Sequence, residues 1–146
     1  MTNRLEKIVF KLKRDSSGYP PLSHEGIWAK KVGESLYEID NIPFFVFDVA
    51  VGDVVRVEVV DGELRFTEVV TRSRNSTLRF FAKSEESVAR IRSELLLLGG
   101  DSEGSHISKL VSVNVSSNDL DKVLTKLQKL EEMQELEFEE AAIRRP

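Results

Sequence analysis

The feature that most constrains the fold is Asp61-Gly62, which stands between two runs rich in β-branched residues, Val54 to Val60 and Glu63 to Val69. Asp-Gly is a preferred pair for a type I′ turn, because both central residues of that turn have positive φ. The predicted register pairs Val60 with Glu63, Val59 with Leu64, Glu58 with Arg65 and Val57 with Phe66. The apolar side chains of the middle pairs then share one face, and Glu58 and Arg65 form an opposite-charge pair on the other.

The rest of the first half also has the pattern of strands. Ile8, Phe10 and Leu12 recur at every second position, which is the period of a half-buried strand. Two short apolar stretches around Gly33-Glu34, residues 27–32 and 36–39, suggest a hairpin. We therefore predict a small antiparallel, β-barrel-like domain over residues 1–72.

From residue 73 the pattern changes to alternating strands and helices. Ser84 is predicted to cap one helix, whose apolar residues recur from Val88 to Leu98, and Ser117 or Asn118 to cap a second. Strands are predicted at 77–82, 111–115 and 136–138. The fold prediction is α+β, with a βαβαβ domain over residues 73–146 that is ferredoxin-like or related. The ferredoxin-like form needs one more strand, and only residues 100–106 could supply it.

Composition excludes several kinds of chemistry. The chain has 146 residues, no cysteine, two histidines and a net charge of −4. Without cysteine there is no disulfide framework, thiolate nucleophile or cysteine-ligated zinc. The acidic balance argues against bulk binding of nucleic acid. No apolar stretch approaches the roughly 20 residues that span a bilayer, so we expect a soluble, cytoplasmic protein without a membrane partner.

Candidate catalytic groups are few. His24 and His106 lie far apart, without other histidines or cysteines at ligand spacing, so no metal or other cofactor is expected. Ser105-His106 follow Asp101 and Glu103, and this segment leaves open an enzyme that uses Glu103 and His106 for acid–base chemistry. No serine has the surroundings of a nucleophile elbow. A polar connection between two elements is the simpler interpretation.

Charge is unevenly distributed along the chain. The acidic residues near the end could dock a basic partner, or could simply solvate a helix end and protect a sheet edge: Glu131, Glu132, Glu135, Glu137, Glu139 and Glu140. The basic residues at the start could contact RNA: Arg4, Lys7, Lys11, Lys13 and Arg14. That cluster lacks the interleaved exposed aromatic residues of a stacking platform, although Phe10 would qualify if it were exposed. Trp28 and the aromatic run 44–47 are expected to lie in the core.

Several segments together resemble a known family. They are Tyr19-Pro20-Pro21, Trp28-Ala29, Asn41-Ile42-Pro43-Phe44-Phe45, Val49 to Val55, and Gly99 to His106. The sequence resembles the bacterial family known as domain of unknown function forty-two sixty-five over nearly its whole length. The resemblance implies no particular chemistry, because the family has no established activity.

The sequence thus favours a non-enzymatic protein that acts by binding another protein. Small, acidic, cysteine-free bacterial proteins of this type include immunity proteins, which neutralise a toxin that is often a basic nuclease domain. The predicted binding residues are the six glutamates from Glu131 to Glu140, followed by Asp101, Glu103, Ser105 and His106. An enzyme based on Glu103 and His106 and an RNA-binding regulator based on the basic cluster remain the alternatives.

Overall fold

The computed structural model describes residues 4–146. The chain divides into two compact units, Met1–Ser73 and Arg74–Pro146. Most strand pairs are antiparallel, and the two helices of the described residues both belong to the second unit. The protein therefore has an α+β fold.

The first unit is a five-stranded sheet that closes into a ring. Its strands are β1 (Leu5–Lys11), β2 (His24–Gly33), β3 (Leu36–Ile39), β4 (Val54–Val60) and β5 (Glu63–Thr71). Consecutive strands pair antiparallel, and β1 also pairs parallel with β5. The prediction of an antiparallel sheet thus holds for every pair except the one that closes the ring.

The predicted hairpin register is confirmed. Val60 pairs with Glu63 and Val57 with Phe66, and both Asp61 and Gly62 have positive φ. Val59, near the turn, is 70% exposed, whereas its register partner Leu64 is partly buried and packs against the core together with Phe66. Arg65 forms its ion pair with Glu63, at 3.1 Å, rather than across the strands with Glu58 as predicted.

Side chains that alternate inward from the strands fill the ring. Its buried core consists of Ile8, Phe10, Ile27, Ala29, Tyr37, Ile39, Val49, Val55 and Val57. Trp28 was expected in the core, but it points outward and is 45% exposed. The reason is the period of β2: Ile27 and Ala29 face inward, so the residue between them faces solvent.

The second unit is a four-stranded antiparallel sheet with two helices. Its elements are β6 (Asn75–Ala82), α1 (Glu85–Leu97), β7 (Gly100–Gly104), β8 (Leu110–Ser116), α2 (Leu120–Glu132) and β9 (Leu136–Ala142). The strand order in the sheet is β7-β8-β6-β9, so β7 and β9 lie at the edges. The predicted βαβαβ order lacks β7, and the observed βαββαβ order is that of a split βαβ unit.

The helices pack on one face of this sheet. Ile91 and Leu95 of α1 are buried, as are Leu120, Val123, Leu124, Leu127 and Leu130 of α2. Ser84 caps α1 as predicted, because its Oγ accepts the Ser87 backbone N–H at 3.3 Å. The predicted cap of α2 is wrong by one or two residues, since the N-cap is Asp119, which makes no side-chain capping hydrogen bond.

Candidate functional site

A buried carboxylate organises the loop between β3 and β4. Glu25 faces inward from β2, with only 8% of its surface exposed. Its carboxylate accepts three successive backbone N–H groups, from Phe44 at 2.6 Å and from Phe45 and Val46 at 3.0 Å each. Charged acceptors make stronger hydrogen bonds than neutral ones, so Glu25 holds this part of the loop closely against β2.

A second buried carboxylate holds the end of the same loop. Asp53 is fully buried, and its Oδ2 accepts the Ala50 backbone N–H at 3.0 Å. Its Oδ1 accepts the N–H of Ser73 at 2.8 Å, and the Ser73 hydroxyl donates to the Val51 carbonyl at 2.7 Å. Gly52 has a φ of +88°, which only glycine adopts easily. Asp53 therefore joins the tight turn before β4 to the chain that leaves β5.

These contacts explain the residues that carry the family resemblance. Asn41 Oδ1 accepts the Trp28 backbone N–H at 2.6 Å, and the Tyr19 ring packs edge-on against Phe45 with a centroid distance of 6.0 Å. Val49 and Ala50 are buried. The side-chain oxygens of Asn41 and Asp53 both accept backbone N–H groups. The resemblance in the first unit thus rests on residues that shape the fold.

The segment Asp101–His106 forms β7 and the turn that follows it. Asp101 and Glu103 pair in register with Asn114 and Ser112 of β8. Ser105 Oγ accepts the Ile107 N–H at 3.0 Å and is 3.0 Å from the Ile107 carbonyl oxygen, so this hydroxyl stabilises the turn. His106 is exposed and has no hydrogen-bonding partner in the part of the chain that the structure describes. Nothing there orients its ring for catalysis.

Three of the six predicted acidic residues have structural partners. Glu131 Oε2 accepts the backbone N–H of Phe138 at 3.0 Å, which occupies a donor of the edge strand β9. Glu135 is half-buried and forms an ion pair with Arg90 of α1. Glu139 pairs with Arg79 at 2.6 Å, and the Arg79 side chain is only 2% exposed.

The other three acidic residues form an exposed group. Glu132 lies at the end of α2, and Glu137 and Glu140 lie on β9. All three are exposed, and none has a partner among residues 4–146. We call these three residues the free glutamates.

The two predicted binding segments do not lie together. Glu103, Ser112, Arg79 and Glu139 are register partners in one row across all four strands. Glu103 and Glu139 are therefore at opposite edges of the sheet, roughly 14 Å apart at the usual strand spacing. The middle of the row is buried at Ser112 and Arg79. The β7 turn and the acidic residues of β9 are thus separate candidate surfaces.

A groove lies beside the start of β9. It has a volume of about 790 Å³ and combines apolar side chains with charges of both signs. Its lining residues are Phe81, Ala82, Lys83, Lys109, Glu131, Gln134, Leu136, Glu137 and Phe138. Phe81 is 37% exposed, although it lies on a strand in the middle of the sheet. We call this feature the β9 groove.

Charged side chains also connect the two helices near Glu135. Glu94 of α1 is 3.1 Å from Lys126 of α2 and 2.8 Å from Arg90, which also contacts Glu135. The hydrogen bond from Lys126 and the positive charges of Lys126 and Arg90 lower the pKa of Glu94, against the opposing effect of burial.

In the first unit, burial raises the pKa of Tyr37, and the neighbouring Glu6 raises it further.

Sequence reasoning missed several of these residues. Glu25 had a signal, because a charged residue alternates in step with Ile27 and Ala29 on the inward side of β2. Asp53 and Arg79 had none, since Asp53 also binds Ser73 and Arg79 binds Glu139, and both of these partners lie far away along the chain. The apolar part of the β9 groove was missed because the exposure of Phe81 depends on where the neighbouring strands end. No group of three histidine, aspartate or glutamate side chains suited to a metal ion occurs within the described residues.

Comparison with known proteins places the chain in a family. A five-stranded closed sheet followed by a βαββαβ unit defines the class of fold. A family profile described as "Domain of unknown function (DUF4265)" matches residues 25–138, so the protein belongs to this family. The search of curated proteins found no match.

One solved structure shares the fold along the whole chain. It is described as "Novel crystal structure of a hypothetical protein from Neisseria gonorrhoeae". The TM-score is 0.79 at 19% sequence identity, and the match covers 100% of both chains. At this identity the similarity concerns the fold alone.

Neither helix of the described residues has the length and apolar character needed to cross a membrane.

Proposed function

We propose that this protein acts by binding another protein at the β9 groove and the free glutamates, and that its role is that of a cytoplasmic immunity protein that neutralises a basic toxin domain. The observation that carries this proposal is the groove itself. It places partly exposed Phe81 and Phe138 beside the carboxylates of Glu131 and Glu137.

Such a groove suits a basic side chain of a partner. The aliphatic stem of a lysine or arginine packs against aromatic rings while its charged head remains near carboxylates. Lys83 and Lys109 also line the groove, so the proposed occupant carries an acidic or polar group next to its basic one. Complementary charge of this kind speeds association and discriminates between partners.

The enzyme alternative has less support from the geometry. The Ser105 hydroxyl is engaged in the turn after β7, and His106 lacks an orienting partner within the described chain. General acid–base catalysis needs a histidine held within hydrogen-bonding reach of a reacting proton. The β7 turn therefore remains a secondary candidate surface.

The test compares two triple charge reversals. E132K/E137K/E140K changes only the free glutamates, which have no partners to lose. E34K/E38K/E58K makes the same change of net charge at exposed positions of the first unit. In affinity capture at moderate salt, we expect the immobilised wild-type protein and the control E34K/E38K/E58K to retain a basic protein at equal stoichiometry. We expect E132K/E137K/E140K, here called the groove variant, to lose this basic protein while its circular dichroism spectrum stays unchanged.

The neutralising role is tested with the captured partner. Calorimetric titration should give at least a tenfold weaker dissociation constant for the groove variant than for the control. Coexpression with wild type should restore growth that the partner inhibits, and coexpression with the groove variant should not. Equal affinities of the two variants would exclude the β9 surface, and a partner without toxicity would exclude the immunity role.

A further inference from the structure

The outer face of β1 and β2 carries an exposed tryptophan next to a lysine. Lys7 and Trp28 are register partners across these strands, and Lys7 Nζ lies 5.3 Å from the centroid of the Trp28 ring. A cation at this distance from an indole ring is attracted by its negative face. The contact restrains the ring while nearly half of Trp28 remains open to solvent.

Gly26 makes this arrangement possible. It is two residues before Trp28 and therefore on the same face of β2. A Cβ atom at Gly26 would lie 2.6 Å from Lys7 Cδ and 3.0 Å from Lys7 Cγ. The stem of Lys7 therefore lies across the strand, directly over the missing side chain. This places the ammonium group at the tryptophan.

The same face continues with a second lysine and a histidine. Lys11 and its register partner His24 are exposed at the other end of the β1–β2 ladder. Lys7 and Lys11 are roughly 13 Å apart along the strand. Neither forms an ion pair with any residue that the structure describes, whereas Lys30 beside Trp28 pairs with Asp40 at 3.4 Å. The charges of Lys7 and Lys11 are thus available to an external anion.

We propose that this strip, made of Lys7, Lys11, His24 and Trp28, binds single-stranded nucleic acid. One unstacked base stacks on the exposed part of the Trp28 ring, and phosphates of the same strand contact Lys7 and Lys11. Aromatic side chains beside a basic track are the usual means of binding single strands without sequence preference. The net charge of −4 does not oppose this, because a local field at two free lysines directs the contact. The inference is independent of the β9 groove.

The experiment uses Trp28 as its own probe, because it is the only tryptophan of the chain. An oligouridylate and an oligothymidylate of about 12 nucleotides, within usual site sizes, are titrated into the full chain at low salt. We expect saturable quenching of tryptophan fluorescence with at least one of them. Saturable quenching by either one supports the proposal, and a preference between them combines the effect of the 2′-hydroxyl with that of the thymine methyl group. No quenching by either would overturn the proposal.

Variants separate stacking from charge, with affinity measured by polarisation of labelled oligonucleotides. W28A should weaken binding by about 5- to 150-fold and leave the salt dependence unchanged, and W28F should recover part of the loss. K7A/K11A should reduce the slope of log affinity against log salt by roughly 1.4, while the control K122A/K129A on α2 should not change it. Circular dichroism verifies folding.

Two results would contradict the stacking geometry. The first is equal affinity of W28A and wild type. The second is competition by polyglutamate that equals competition by oligouridylate, because this would show a surface that recognises negative charge alone. G26A gives an independent check: it retains every charge and displaces the stem of Lys7, so we expect altered Trp28 fluorescence in the free protein and weaker binding.

Discussion

Glu25 and Phe44 are 19 positions apart in the chain, and the backbone N–H of Phe44 donates to Glu25 Oε2 at 2.6 Å. This bond and its two neighbours at Phe45 and Val46 make one side chain the anchor of residues 44–46 in the loop between β3 and β4. A buried carboxylate that accepts three backbone N–H groups thus joins this part of the loop to β2.

Removing that anchor should destabilise the first unit. E25A leaves three backbone donors without their acceptor, and we expect a loss of at least about 2 kcal/mol in the free energy of unfolding. Urea denaturation followed by the fluorescence of Trp28 measures this loss in the same unit. E38A, at an exposed position of β3, is the control and should change stability by less than about 0.5 kcal/mol. Equal stabilities would show that water replaces the carboxylate without cost.

D53N should weaken the turn before β4. Its amide group would place a donor against the N–H of either Ala50 or Ser73, and we expect a loss of about 1–3 kcal/mol. Amide hydrogen exchange should become faster at Ala50 and Ser73 in the variant. D61N, in the exposed hairpin turn, should leave both rates unchanged, since asparagine tolerates positive φ. Unchanged exchange at Ser73 in D53N would argue against its bond to Asp53.

Neighbouring glutamates of β9 should behave differently. E139Q removes the negative charge that faces the buried Arg79, and we expect a loss of about 1–3 kcal/mol. E137Q changes an exposed residue without a partner in the described chain, so its effect should be below about 0.5 kcal/mol. Because both described helices lie in the second unit, denaturation followed by helical circular dichroism reports on this unit. Equal losses would mean that the pair with Arg79 adds no stability.

The stability that Glu94 contributes should depend on pH. Its pKa is lowered in the folded protein from an ordinary value of 4.5, chiefly by the hydrogen bond from Lys126. A lowered pKa stabilises the fold above the unfolded value, and the effect is lost as the pH falls through the folded value. E94Q should thus cost less than about 1 kcal/mol at neutral pH and nothing in strong acid. Thermal unfolding of both proteins across this range tests it, and a pH-independent difference would contradict the assignment.

Local patterns made much of the fold predictable. The register around Asp61-Gly62 and the buried stripe of α2 depend on residues close together in sequence. β7 was harder to predict because Gly100–Gly104 contains two glycines and no β-branched residue, so its strand conformation depends on pairing with β8. The candidate sites depend on contacts between distant residues. The sequence could show that Glu139 is acidic, but not that it pairs with the buried Arg79.

The pairing of β6 with β9 has a consequence for how the second unit can be used. Thr77 and Ala142 are register partners, and the Arg144 backbone N–H donates to Ser76 Oγ at 2.7 Å. Residues near the two ends of this unit thus lie close together. A domain with adjacent ends can be inserted into a surface loop of another protein, or given new ends elsewhere, without stretching either connection. The second unit is therefore suited to insertion into another protein and to circular permutation.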